Sequence, residues 1–116
     1  MPRRQRRAPR ATKVAVGADL RKKARQASSL LRNLAHSHRL LIVCALANGE
    51  RSVTEIEHDI GVGQPRLSQQ LAELRNAGII ANRRNAQSVY YHVVDDRAGR
   101  IAAVLYEIFC APRGRR

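Results

Sequence analysis

Along the first third of the chain, apolar residues return at helical spacing. From Ala18 to about Ala35 they fall at Leu20, Ala24, Ala27, Leu30, Leu31 and Leu34, which is the recurrence of one helix face. Ser37 then offers an oxygen to cap a second helix, which carries Leu40 to Ala47, the longest apolar run in the sequence, and stops at Asn48-Gly49. That run has the length of a buried helix face and is far short of a membrane span. After Arg51–Val53, Thr54-Glu55-Ile56-Glu57 has the form of a capping box, so a third helix is expected from Thr54 to about Ile60-Gly61. Gly61-Val62-Gly63 reads as a tight turn. A fourth helix follows at once, with Pro65 tolerated in its first turn and Leu67, Leu71 and Leu74 on one face, and it ends at Asn76-Ala77-Gly78.

Beyond Gly78 the period changes from helical to alternating. Ile79–Arg84 and Ser88–Val94 read as two strands joined at Asn85-Ala86-Gln87, with Val89, Tyr91 and Val93 on one face and Tyr90 and His92 on the other. Asp95 or Asp96 caps a last helix through Ile101, Val104, Leu105, Ile108 and Phe109, ending near Cys110 and Pro112. The predicted fold class is mainly α with a β-hairpin: four helices, two strands and a final helix, with the third and fourth helices forming a helix-turn-helix and the hairpin its wing. At 116 residues, 3% aromatic and without Trp, the chain has room for one modest core of aliphatic side chains, which suits packed helices.

The net charge of +13 matters less than its placement. Residues 1–25 hold ten Lys or Arg and one acid, residues 26–112 hold nine against eight, and residues 113–116 add three Arg. Residues 26–112 are thus nearly neutral, and three segments are expected: a basic disordered arm at 1–17, a DNA-binding and dimerisation domain at 18–111 and a basic tail at 112–116. An acid-poor arm adds salt-sensitive, sequence-blind affinity for polyanions, although a solubilising tail has the same composition. An organelle transit peptide is also Arg-rich, but a clear amphipathic stripe and Ser enrichment are missing here. The N-terminal charges are followed by no apolar segment, so a cytoplasmic protein on the nucleoid, away from membranes, is expected.

With the apolar stripe of the fourth helix turned inward, its first turns present Gln64, Pro65, Arg66, Ser68, Gln69 and Gln70 outward, and none of them is acidic. Arg can pair with guanine and Gln with adenine in a major groove, while Arg83 and Arg84 beside the hairpin tip suit the sugar-phosphate backbone. These eight residues are the candidate contacts to double-stranded DNA. Any solvent-facing helix is polar; the missing acids and the adjoining basic hairpin are what favour DNA.

Three stretches carry a family resemblance: Gly61-Val62-Gly63-Gln64-Pro65-Arg66-Leu67-Ser68-Gln69-Gln70-Leu71, Leu74-Arg75-Asn76-Ala77-Gly78-Ile79-Ile80, and Arg83-Arg84-Asn85-Ala86-Gln87-Ser88-Val89-Tyr90-Tyr91. Over about residues 25–111 the chain resembles the ArsR/SmtB family of winged-helix repressors. Ile42-Val43-Cys44 and Leu105-Tyr106-Glu107-Ile108-Phe109-Cys110 look more narrowly like its biofilm growth-associated, sulfide- and persulfide-responsive (BigR-type) subgroup. The resemblance implies a homodimer joined through the first and last helices, with two recognition helices in successive major grooves of a palindromic operator.

Most members of the family sense metals. Val53–Ile60 has no Cys and Asp96–Cys110 has no His, so neither of the family's usual metal sites is expected. A non-standard site using Cys44 or Cys110 with His36, His38, His58 or His92 stays open, although only His36 and His38 show a ligand-like spacing. By the subgroup resemblance Cys44 and Cys110 would be a thiol sensor, linked by a disulfide or polysulfide in the presence of reactive sulfur species, upon which DNA is released. On chemistry alone both could be small buried hydrophobes, because an apolar run and a helix C-terminus each disfavour thiolate.

No Ser/His/Asp grouping, phosphate-cradling loop or paired carboxylates suggest catalysis, so neither an enzyme nor a cofactor is expected. A sequence-blind architectural DNA binder remains an alternative. If the arm meets DNA, deleting residues 3–13, with Arg3, Arg4, Arg6, Arg7, Arg10 and Lys13, flattens the log–log salt dependence of binding by about 0.9 per phosphate lost. An unchanged slope returns the arm to a solubility role.

Overall fold

The computed structural model describes residues 14–110. Most of the basic arm and all of the basic tail therefore lie outside the described residues. The elements are α1 (Ala18–Leu34), α2 (Ser37–Leu46), β1 (Arg51–Ser52), α3 (Val53–Ile60), α4 (Arg66–Asn76), β2 (Ile80–Asn85), β3 (Ser88–Val93) and α5 (Asp96–Phe109). The strands form one antiparallel sheet in the order β1-β3-β2. This is the expected mainly helical winged fold with one strand added, since β1 pairs Arg51 with Tyr91 and Ser52 with Tyr90.

The core gathers around α2, which packs against α1, α3, α4, β3 and α5. Ile42 and Val43 are wholly buried there, and Ile56, Leu67, Leu74 and Ile79 close over them. By contrast α1 is anchored at its C-terminal end, through Leu30 and Leu34, while every residue from 18 to 29 is exposed. The same change occurs along α5: Ala98 and Ala102 are buried near its start, whereas Ile108 and Phe109 near its end are 66% and 78% exposed.

Local starts differ from expectation by a residue or two. α2 is capped by His36, not Ser37. His36 is extended (φ −150°, ψ 126°), and its Nδ1 accepts the His38 N–H at 3.2 Å. The capping box of α3 is Ser52 with Glu55, not Thr54 with Glu57: Ser52 Oγ accepts the Glu55 N–H at 3.1 Å, and the Ser52 N–H donates to Glu55 Oε1 at 2.9 Å. Both pairs fit the pattern, but pairing of Ser52 with Tyr90 keeps the backbone extended to Ser52 and lets the helix begin at Val53. Pro65 precedes the first residue of α4. The hairpin loop is two residues, because Asn85 pairs with Ser88 and Ala86 takes a positive φ of 58°. α5 begins as expected, with Asp95 accepting the Arg97 N–H at 3.0 Å.

The two capping pairs can be told apart by unfolding at fixed protein concentration. Ser52→Ala lowers stability by about 1 kcal/mol, as loss of an N-cap does. Thr54→Ala, at an exposed site outside the box, stays within about 0.5 kcal/mol. Equal losses contradict this assignment.

Candidate nucleic-acid interface and thiol pair

The recognition unit follows from the way α3 stops and α4 starts. Gly61 takes a left-handed backbone (φ 70°) and returns its N–H to Glu57 O at 2.9 Å, while the buried Val62 plugs the turn against the core. Leu67, Leu71 and Leu74 then dock α4 against α2 and the core. That leaves Gln64, Pro65, Arg66, Ser68 and Gln69 exposed together on the opposite side. Gln64 closes the helix start from the turn: its Oε1 accepts the Ser68 N–H at 3.1 Å and also the Ser68 hydroxyl. The NH2 group of Gln64, a pure donor, is left for other partners. Arg66 and Gln69 make no side-chain hydrogen bond or ion pair among the described residues.

Gln70 is placed differently. It is half-buried, and its Oε1 accepts from Arg39 Nε at 2.7 Å, which ties α4 to α2 instead of facing outward with Gln69. A second Arg39 nitrogen lies 3.9 Å from Glu73, the first acid along α4.

On the wing, Arg83 and Arg84 are neighbours on β2 and so point to opposite faces of the hairpin. Arg83 forks onto Glu50 with Nε and one terminal nitrogen each 2.8 Å from a carboxylate oxygen. Its guanidinium also lies 4.9 Å from the ring centroid of Tyr90, its cross-strand partner. The Arg83 hydrogen bond holds the Glu50 carboxyl below the ordinary carboxylate range. His92 Nδ1 stands 3.8 Å from the same carboxylate and has no hydrogen-bond partner. Arg84 is exposed and pairs with no acid among the described residues.

The thiols belong to two helices that pack on each other, Cys44 on α2 and Cys110 at the C-terminal end of α5. Cys44 is half-buried and packs against the core, whereas Cys110 is exposed and caps the end of α5, its N–H bonded to Tyr106 O at 2.8 Å. Both are free. Burial pushes the Cys44 thiol up, and the charge of a Cys110 thiolate raises it further. His36 spends its Nδ1 on capping α2, which withdraws that atom from any pairing with His38 on a metal. No three His, Cys, Asp or Glu side chains converge among the described residues.

Comparison with known proteins places this geometry. Residues 36–82, from the start of α2 into β2, match the model of the bacterial regulatory protein arsR family. The biofilm growth-associated repressor of Xylella fastidiosa is 46% identical over 93 residues, which span 80% of this chain and 82% of that protein. This chain belongs to the arsR family of bacterial transcriptional regulators. The crystal structure of the repressor BigR from Xylella fastidiosa superposes with a TM-score of 0.77 at 46% identity, covering 81% of this chain and 96% of that one. Reduced HlyU from Vibrio cholerae does so at 0.75 and 32% identity, covering 80% and 98%. As an arsR-family chain like the BigR repressor, it has the winged helix-turn-helix read from its sequence.

Arg39 and Glu50 are the polar residues that sequence reasoning missed. Their partners lie 31 and 33 residues away, so no local pattern signals either contact.

Proposed function

We propose that this chain is a homodimeric operator-binding repressor switched by Cys44 and Cys110. The observation that carries the reading is the packing of α2 on α5, two helices that each carry one free thiol. Similarity to a structure described as reduced HlyU agrees with a thiol-dependent state.

Dimerisation is supported by apolar surface that nothing among the described residues covers. Leu20 and Leu31 on α1 and Val104, Ile108 and Phe109 on α5 are all exposed large hydrophobics. A second copy brings the same two helices, so one self-complementary patch covers both sets. Two copies of α4 then face successive grooves. Arg66 and Gln69 are the readers, Gln64 and Ser68 act as a bonded pair at the helix start, Pro65 shapes the approach and Arg84 meets phosphate.

In the switch, Cys110 attacks first, because it is exposed whereas burial holds Cys44 protonated. Its thiolate takes the outer sulfur of a low-molecular-weight persulfide and releases the parent thiol, leaving a Cys110 persulfide. Cys44 then attacks the Cys110 sulfur, closing a disulfide and expelling hydrogen sulfide. Two protein thiols are oxidised and one sulfane sulfur is reduced. If both cysteines carry persulfides, the same loss of hydrogen sulfide gives a trisulfide. Either link fixes the DNA-reading body, through α2, to the dimer helix α5, and so alters the spacing of the two copies of α4. A ligand acts here only through its different stability in two states, so a coupling of a few kcal/mol suffices.

Two experiments test the reading. On a duplex that the protein selects from random sequence, Arg66→Ala and Gln69→Ala each weaken binding by about 1–3 kcal/mol and relax sequence preference, while Arg84→Ala weakens all duplexes alike. An untouched preference in Gln69→Ala removes α4 as the reader there. Separately, Cys44→Ser and Cys110→Ser each bind that duplex but no longer release it under persulfide, with mass spectrometry following the linked form of the parent protein. A double Cys→Ser variant that still responds excludes the thiol switch.

A further inference from the structure

The wing holds two arginines in unlike states, and Glu50 is the cause of the difference. Arg84 is exposed without an acid partner among the described residues, while the Nε–Nη edge of the Arg83 guanidinium is taken by Glu50, with two hydrogen bonds of 2.8 Å. A carboxylate bound in this way occupies the donor geometry that a phosphate would use. We propose that Glu50 masks a latent phosphate contact: it competes with the DNA backbone for Arg83, and so restrains the sequence-blind affinity of the wing.

Several features make this a built arrangement. Glu50 belongs to the turn after α2, Arg83 to β2 and Tyr90 to β3, so three separate segments meet at one guanidinium. The Tyr90 ring, its centroid 4.9 Å from the guanidinium, adds a cation–π contact to the same group. The Glu50 carboxyl is held below its ordinary range by Arg83, so it stays ionised at neutral pH. His92 approaches Glu50 Oε2 without a hydrogen bond, at 3.8 Å, and does not displace Arg83 from it. Arg83 is half exposed all the same, with 50% of its side chain accessible, so release from Glu50 would free it to solvent and to DNA. A repressor must leave non-specific DNA to find its operator. Muting one of two wing charges lowers the affinity that every duplex shares and leaves base reading by α4 intact.

The inference rests on the wing meeting DNA, and the experiment separates the two. Binding of the full-length reduced protein to a mixed-sequence duplex is measured across a salt series for Glu50→Gln, Arg83→Ala, Arg84→Ala and the Glu50→Gln/Arg83→Ala pair. Glu50→Gln tightens binding and steepens the log–log slope by about 0.9, a gain of roughly eightfold at 0.1 M salt relative to 1 M. Arg83→Ala alone keeps the parent slope, and in its background Glu50→Gln changes nothing. Glu50→Ala repeats the Gln result, and thermal melts confirm that each variant is folded. An unchanged slope in Glu50→Gln overturns the proposal. So does a gain that survives without Arg83, which would be a general field effect, and so does a flattened slope in Arg83→Ala, which would mean that Arg83 already holds phosphate. If Arg84→Ala flattens the slope in any of those cases, the wing still meets DNA and only the masking role falls. If Arg84→Ala also leaves the slope unchanged, the wing reading fails and takes the proposal with it.

Discussion

Burial of α2 is the constraint from which the rest of the geometry follows. Ile42 and Val43 have no exposed surface because α1, α3, α4, β3 and α5 all close on the helix that carries them. Each such side chain contributes about 1.5–3 kcal/mol when it is taken from water, a large share of the margin of a domain this small. Position matters as much as energy. Interiors packed to crystal density transmit displacement, so a change in how α5 seats on α2 can reach α4 through the same helix. The exposed start of α4 is thus tied to α5 through one shared floor.

Electrostatics works differently here. From residue 26 onward the folded body is nearly neutral, and several of its arginines are already engaged: Arg51 with Asp59, Arg83 with Glu50 and Arg97 with Asp95. Pairs as exposed as these add little stability. Their consequence is selection, because each pair decides which cation is left to meet an external anion. Arg66 on α4 has no acid beside it in the first turn, and on the wing the result is a contrast between neighbouring residues. Net charge would not have shown either feature.

Most of the fold was legible because its elements obey short periods. The stripes of α1, α4 and α5 and the alternation in β3 are written within a dozen residues of themselves, and the Gly61 turn declares itself by composition. β1 was not legible: two residues have no period, and they become a strand only by pairing with Tyr90 and Tyr91 nearly 40 residues on. The same remote pairing chose Ser52 over Thr54 as the cap. At the candidate site, the exposure of Arg66, Ser68 and Gln69 followed from the inward stripe of α4. Gln70 did not, because it lies at the edge of that stripe and Arg39, on another helix, decides which way it turns. Residue type can nominate a contact, but a competitor from a distant segment decides whether the group is available.

The thiol pair shows how far packing alone can support a switch. A buried cysteine is ordinarily an inert small hydrophobe, and the raised pKa of Cys44 fits that description. What sets it apart is the neighbour: an exposed thiol at the end of α5, on a helix buried at Ala98 and Ala102 but bare at Ile108 and Phe109. The bare end belongs to whatever covers it, and the buried end belongs to this core. A bond between Cys44 and Cys110 would therefore join the core helix α2 to the bare end of α5. There a small covalent change has leverage over a distant surface without any direct contact with it.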